Sequence, residues 1–229
     1  MVVKSESARV VLFLGAPGSG KGTQASWLSA SLGIPTLSTG EILRAEAKRN
    51  CSESFQLRQL LGTGQLVDDA TVCAVVAAWL KRENPRRGFI LDGFPRTTAQ
   101  AQYLDALLDE LHLPRPTVLH LDVSTTGILR RLTGRRQCAV CGTVYNLVSK
   151  PSLRGSRCQK DGGALTQRDD DSEGVILHRM EQFHRMSAPL LAHYGSSVAR
   201  IDGDREATAL ADEILDTVAP GRTRHLAAA

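Results

Sequence analysis

Five short apolar runs punctuate the chain, at 10–14, 35–37, 89–91, 118–121 and 198–201. Each is continuous rather than alternating, the pattern of strands covered on both faces. Helical patterns follow or separate them over 23–32, 69–82, 98–111, 125–132, 173–194 and 205–218. Short buried strands alternating with helices predict an α/β fold, a parallel five-stranded sheet with covering helices. Two stretches interrupt the alternation. Residues 40–66 are polar and helix-prone, with Gly62 and Gly64 near their end, while residues 134–171 are rich in Gly, Cys and basic side chains. Both read as insertions on the side of the sheet where the first strand runs into a glycine-rich turn.

Composition narrows the class. A chain of 229 residues, 42% of them hydrophobic, suffices for one sizeable core with insertions. The net charge is +4, yet Lys and Arg form no dense block and aromatic residues make up only 4%, which argues against nucleic acid as a partner. Residues 1–9 are polar without a signal-type apolar region, and no apolar run approaches the length of a membrane span. A soluble, cytoplasmic protein is therefore expected. Three of the five cysteines cluster, which points to metal in a reducing compartment more than to disulfides. Cys51 and Cys73 fit no such spacing and read as ordinary thiols, and the tail 221–229 is expected to be mobile.

Candidate chemistry begins directly after the first apolar run, at Gly15-Ala16-Pro17-Gly18-Ser19-Gly20-Lys21-Gly22-Thr23. Strand, glycine-rich turn and helix in that order form a phosphate-binding loop, because glycines let successive backbone N–H groups face phosphate oxygens. The helix N-terminus adds its positive end, and Lys21 can reach the β- and γ-phosphates. The general loop carries a hydroxyl directly after its lysine, where it ligates Mg²⁺. Here that position is Gly22 and the hydroxyl follows on Thr23. A Mg²⁺ held by phosphates and waters fits better than one ligated by the protein.

A second motif, Leu91-Asp92-Gly93-Phe94-Pro95-Arg96, ends the third run. Asp92 beside the phosphate loop can orient metal-bound waters, and Arg96 offers a planar fork to a second phosphate. Alone, Asp-Gly and Pro describe a turn; with the phosphate loop they describe a site. A third motif, 37–44, places Ser38-Thr39-Gly40 at a helix start and Arg44 one turn in. By pattern alone it is equally an N-cap on a solvated helix. The fourth is Cys138-Ala139-Val140-Cys141-Gly142, answered after 16 residues by Cys158-Gln159-Lys160-Asp161-Gly162. C-x-x-C-G is a metal knuckle, and the second half repeats it with Asp161 in the place of a cysteine. Three thiolates and a carboxylate would close a tetrahedral zinc shell, so the ion would be structural; the alternative is a remnant knuckle without metal.

The segments GAPGSGKGTQ, LSTGEILR, GQLVDDATV and LDGFPRT, with Gln100 four residues past Arg96, resemble the adenylate kinase family in its long-lid form, from about residue 9 to 218. The resemblance implies transfer of a phosphoryl group from ATP to AMP, giving two ADP, in the service of adenine nucleotide homeostasis. It implies a CORE of 1–37, 68–133 and 172–220, an AMP-binding insertion at 38–67 and a small β-rich LID at 134–171. On the ATP side it places Gly18, Ser19, Gly20, Lys21, Gly22 and Thr23 on the phosphates. Arg131 and Arg135 also contact ATP, Val144 and Tyr145 flank its adenine, and Arg205 supplies a backbone contact. On the AMP side it places Thr39, Gly40, Arg44, Gln65, Val67, Gly93, Arg96 and Gln100, with Arg44 and Arg96 on the α-phosphate and Gln100 reading adenine. Arg168 and Arg179 clasp the transferring group, and the catalytic set becomes Lys21, Asp92, Arg96, Arg131, Arg135, Arg168 and Arg179. The family's bacterial members include lids with a Cys, Cys, Cys, Asp metal site, which matches Cys138, Cys141, Cys158 and Asp161.

The implied cofactors are Mg²⁺ travelling with ATP and a structural Zn²⁺, and the implied assembly is a monomer that binds neither nucleic acid nor membrane. A UMP or CMP kinase of the same superfamily is the nearest alternative, which Thr39, Gln100 and the full lid disfavour. A zinc-ribbon ATPase acting on nucleic acid is the other, disfavoured because Tyr145 is the only aromatic residue in 134–171.

Overall fold

The computed structural model describes residues 8–48 and 52–222. Cys51 and residues 223–229 of the tail lie outside that range. Five parallel strands form the main sheet: β1 (Arg9–Gly15), β2 (Thr36–Ser38), β3 (Gly88–Asp92), β4 (Thr117–Asp122) and β8 (Val198–Asp202), in the order β2-β3-β1-β4-β8. All five expected strands are present, each within two residues of its expected ends. Among the described residues, eight α-helices connect and cover the strands: α1 (Lys21–Leu32), α2 (Thr39–Ala47), α3 (Ser52–Gly62), α4 (Asp69–Glu83), α5 (Thr98–Glu110), α6 (Thr125–Thr133), α7 (Glu173–Tyr194) and α8 (Ala207–Val218).

The continuous apolar runs have the predicted cause. Along β1, Val10, Leu12 and Leu14 enter one core cluster, with Trp79 and Leu80 of α4, Leu104 and Leu108 of α5, and Leu190 and Tyr194 of α7. The alternate residues Val11 and Phe13 enter the opposite cluster, with Ala25 and Leu28 of α1 and Leu210 and Ile214 of α8. A strand covered on both faces leaves no position for a polar side chain, and period-two patterning vanishes.

Because β1 lies between β3 and β4, the strand order reverses beside it, and the crevice beyond its C-terminal end is where ligands bind in open parallel sheets. Both interruptions of the strand–helix pattern open from that end or beside it. The stretch 40–66 becomes α2 and α3. The stretch 134–171 becomes a separate antiparallel sheet of β5 (Arg135–Cys138), β6 (Val144–Asn146) and β7 (Leu165–Thr166), ordered β6-β5-β7. A 3-10 turn at Asp169–Asp171 leads from it into α7.

Candidate active site

The turn between β1 and α1 takes the shape its glycines predict. Gly18 has φ of 81°, and a Cβ there would come within 2.6 Å of Leu132 Cγ on α6, so no larger residue fits. Ser19 is buried beneath the turn. The Lys21 ammonium donates to the carbonyl oxygens of Gly15 (2.8 Å) and Ala16 (2.9 Å), inside the loop that its sequence marks for phosphate. Gly22 faces the neighbouring strand end, where an added Cβ would lie 3.2 Å from Asp92 Oδ2. The glycine that replaces the usual hydroxyl residue therefore leaves room beside the Asp92 carboxylate. Ser38 Oγ donates to that same oxygen at 3.3 Å.

The second motif forms the adjoining floor. Thr39 Oγ1 donates to Gly93 O at 3.0 Å, and Arg96 Nε donates to the same carbonyl at 2.9 Å, which aims the guanidinium across the crevice. Gly15, Lys21, Gly64, Leu66, Gly93, Arg96 and Arg179 line one cavity with the apolar side chains Phe183 and Met186 of α7. Thr39 and Gly40, ambiguous by pattern, are both buried at the start of α2, against this floor. Arg44 lies one turn further along α2, where its guanidinium would stand 3.1 Å from a Cβ on Gly40. Gln65 is exposed and Val67 buried in the segment leading to α4.

Positive charge converges here from separate elements. Loss of solvent around Lys21 lowers its pKa from 10.5 to about 8; Asp92 opposes that shift, while Arg96, Arg179 and Arg135 add to it. Arg44, Arg96, Arg168 and Arg179 are lowered as well, each first by desolvation. Arg179 then adds to the shift of Arg96, and Arg135 and Arg44 to that of Arg168. Cations so crowded destabilise one another until a polyanion lies among them.

Acidic partners hold two of the arginines in place and an amide holds a third, and none of these partners stood out in the sequence. Arg135 makes a two-pronged pair with Asp171, its Nε donating to Oδ2 at 2.7 Å and its second nitrogen to Oδ1. The Asp171 side chain is fully buried. Arg179 donates to Asp170 Oδ2 at 2.8 Å and stands 4.0 Å from Asp171. Arg168 Nε donates to Gln137 Oε1 at 2.7 Å. The signal was present in Asp169-Asp170-Asp171, since an acidic run beside a segment rich in arginine is buried only if paired.

Arg131 donates to Ser19 O (3.2 Å) and Gly203 O (2.6 Å), tying α6 to the phosphate loop and to the turn after β8. The Arg205 side chain pairs with Glu213 of α8, which leaves its backbone as the part able to meet a nucleotide. Tyr145 can border a base only through its backbone. Its ring is buried in the small sheet with its hydroxyl 3.3 Å from Cys158 Sγ, so it does not offer a face to a base. The half of the pair that remains open is Val144, 39% exposed.

Cys138, Cys141, Cys158 and Asp161 come together with all four ligand atoms within 4.8 Å of one another. Cys141 Sγ lies 3.6 Å from Cys158 Sγ, and Cys138 Sγ lies 3.3 Å from Asp161 Oδ1. Ligands about 2.3 Å from a tetrahedral zinc stand close to these separations. The two knuckles repeat one backbone bond, Gly142 N to Cys138 O (3.1 Å) and Gly162 N to Cys158 O (3.0 Å). Both glycines have positive φ, 72° and 75°. Three sulfurs and one oxygen, the only metal-ligating group of this kind found among the described residues, are a donor set compatible with zinc.

A family model for adenylate kinase matches residues 13–199. Curated adenylate kinases resemble the chain over most of its length. That of Thermodesulfovibrio yellowstonii is 44% identical over 184 residues, covering 80% of this chain and 86% of the relative. Those of Methanocella arvoryzae and Bacillus subtilis are 40% and 38% identical over 198 residues, each covering 86% of this chain and 91% of the relative. With a phosphate loop and a second cationic floor lining one cavity, this chain belongs to the adenylate kinase family of nucleoside monophosphate kinases.

Proposed function

We propose that the chain transfers the γ-phosphoryl group of ATP to AMP, with ATP on the phosphate loop and AMP on the floor formed by Thr39, Gly40, Arg44, Gln65, Val67, Gly93, Arg96 and Gln100. The observation that carries this reading is the convergence of Lys21, Arg44, Arg96, Arg135, Arg168 and Arg179 within electrostatic reach of one another around one crevice. A nucleoside triphosphate and a nucleoside monophosphate together would bring the negative charge to balance them.

In the transfer, an oxygen of the AMP phosphate forms a bond to Pγ while the bond from Pγ to the β-phosphate oxygen breaks, and ADP departs from each side. The attacking oxygen is already anionic, so no general base is required. Charge spreads over the equatorial oxygens of the transferring group, and stabilising it is electrostatic work for prepositioned donors. Arg168 and Arg179 would clasp that group, Lys21 would follow the β- and γ-phosphates, and Arg131 and Arg135 would hold the donor with Ser19, Gly20, Gly22 and Thr23. Val144 and the backbones of Tyr145 and Arg205 would border its base and ribose. Mg²⁺ bound with ATP supplies charge neutralisation, and Asp92, with open space at Gly22, is placed to accept hydrogen bonds from its waters.

Residues 38–67 would serve as the AMP-binding unit and 134–171 as a lid stiffened by zinc, the remainder forming the core. A monomer in the cytoplasm agrees with a site built from one chain, and among the described residues no helix is long and apolar enough to cross a membrane. The test is a coupled assay of ADP formation from ATP with AMP, UMP or CMP as acceptor. Turnover dependent on AMP and Mg²⁺ is expected; preference for UMP or CMP would overturn the acceptor assignment.

A further inference from the structure

Asp69 is the first residue of α4, next to the N-cap Asp68. Its carboxylate does not face solvent alone. Oδ2 accepts from Thr97 Oγ1 at 2.9 Å, and Oδ1 accepts from Gln100 Nε2 at 2.7 Å. At the other end of the same amide, Gln100 Oε1 accepts from the Arg96 backbone N–H at 2.8 Å. Gln100 itself is buried, in the first turn of α5.

The orientation of a glutamine amide is settled by its neighbours, and here both agree. A carboxylate only accepts and a backbone N–H only donates, so the nitrogen must face Asp69 and the oxygen must face Arg96. Each end then keeps one unused valence for hydrogen bonding, an N–H on Nε2 and a lone pair on Oε1. A donor beside an acceptor complements the Watson–Crick edge of adenine, where N1 accepts and the 6-amino group donates. It opposes the edge of hypoxanthine, where N1–H donates and O6 accepts. That edge would suit the same amide turned over.

We propose that Asp69 is a positioning residue for acceptor specificity: it locks the Gln100 amide in the adenine-reading orientation. The inference rests on Gln100 being the base-reading residue of the acceptor site. Asp69 touches no substrate in this arrangement; it acts through the polarity it imposes. A bystander carboxylate would merely clasp α4 to α5, and the two roles predict different outcomes.

The experiment compares kcat/KM for AMP and inosine monophosphate in the wild type and in Asp69→Ala, Gln100→Ala and the double variant. Asp69→Ala should raise the KM for AMP about tenfold, leave that for ATP within about twofold, and lower the AMP-to-inosine ratio about tenfold, the scale of a misread hydrogen bond. In the Gln100→Ala background, removing Asp69 should change that ratio no further. Asp69→Asn should restore most of the preference, because its carbonyl still accepts from Nε2 while its amide donates to Thr97. If Asp69→Ala does not fold, Asp69→Ser serves, since a hydroxyl either donates or accepts and imposes no polarity. Its ratio should fall likewise. Equal losses for both acceptors, with the ratio unchanged in Asp69→Ala or Asp69→Ser, would reduce Asp69 to a clasp and overturn the proposal. A Gln100→Ala variant with undiminished AMP preference would instead remove Gln100 as the reader, and the proposal with it.

Discussion

On the five-stranded sheet, aliphatic and aromatic side chains are buried on both faces, with Val11, Phe89, Leu91 and Leu119 wholly excluded from water. Around the three-stranded sheet, the buried set shrinks to Cys138, Tyr145 and Cys158, with Leu165 packed against them. Val140, Val148 and Leu153 stand 75%, 74% and 89% exposed there. The larger region can be stable on hydrophobic burial, which scales with the area removed from water. The smaller one buries too little for that and needs another anchor, as small folds generally do. A metal ion held by its four ligand atoms would supply one. The two regions meet at an acidic turn, where Asp171 holds Arg135 of the small sheet and Asp170 holds Arg179 of α7.

Removing metal should separate the two regions most sharply. Elemental analysis should find about one zinc per chain, the number a closed four-ligand shell takes. Structural zinc can contribute about 10 kcal/mol or more to the fold it closes. A chelator should therefore abolish amide protection in β5, β6 and β7 while β1, β3 and β4 stay protected in hydrogen exchange. Equal loss in both sheets would contradict the comparison.

Asp171→Ala attacks the tether. It leaves the half-sheltered Arg135 without its buried partner, at a cost of about 3 kcal/mol. Calorimetry should show a Tm lower by roughly 6–12 °C for a chain of this size. An unchanged Tm would mean that the small sheet is not anchored through this pair.

Lys21→Met tests the large region's function apart from its stability. Turnover should fall at least about a hundredfold, the effect of losing one preorganised donor, which corresponds to roughly 2.7 kcal/mol. The Tm should hold, because the ammonium bonds only within the loop, to the carbonyls of Gly15 and Ala16 and to Ser19 Oγ. Near-normal activity in the folded variant would undo the phosphate-loop assignment.

The smallest effect is in pH. Lys21 has a pKa lowered from 10.5 to about 8 in the folded protein, so between these values the unfolded chain holds a proton that the folded one has released. Its contribution to stability therefore rises as pH climbs from 8 towards 10.5. Phosphates beside it should restore the proton. ATP binding measured by calorimetry at pH about 8.5, in buffers of different ionisation enthalpy, should show proton uptake that Lys21→Met lacks. Uptake of equal size in the variant would assign the titration elsewhere.

Much of this protein is legible in one dimension. The five strands, the loop at Gly15–Lys21 and the two cysteine knuckles depend on neighbours in sequence, through burial on both faces, backbone freedom and fixed ligand spacing. Thr39 and Arg44 were ambiguous because a helix N-cap and a binding site use the same residues, and only the contact of Thr39 with Gly93, and of Arg44 with Gly40 behind it, separates the two. The helices α2 and α3 were foreseen only as a helix-prone stretch, since their packing against each other and the sheet decides where each begins.

Sequence alone thus determined the five strands and the phosphate loop. The tertiary structure decided which carboxylate holds which arginine, which way the Gln100 amide points and that the Tyr145 ring turns inward to Cys158. The division has a physical cause. Turns, strands and knuckles are set by interactions over a few residues. The partners Arg135 and Asp171, or Asp69 and Gln100, lie 36 and 31 positions apart, and meet only because burial of the surrounding apolar surface has already fixed the elements that carry them.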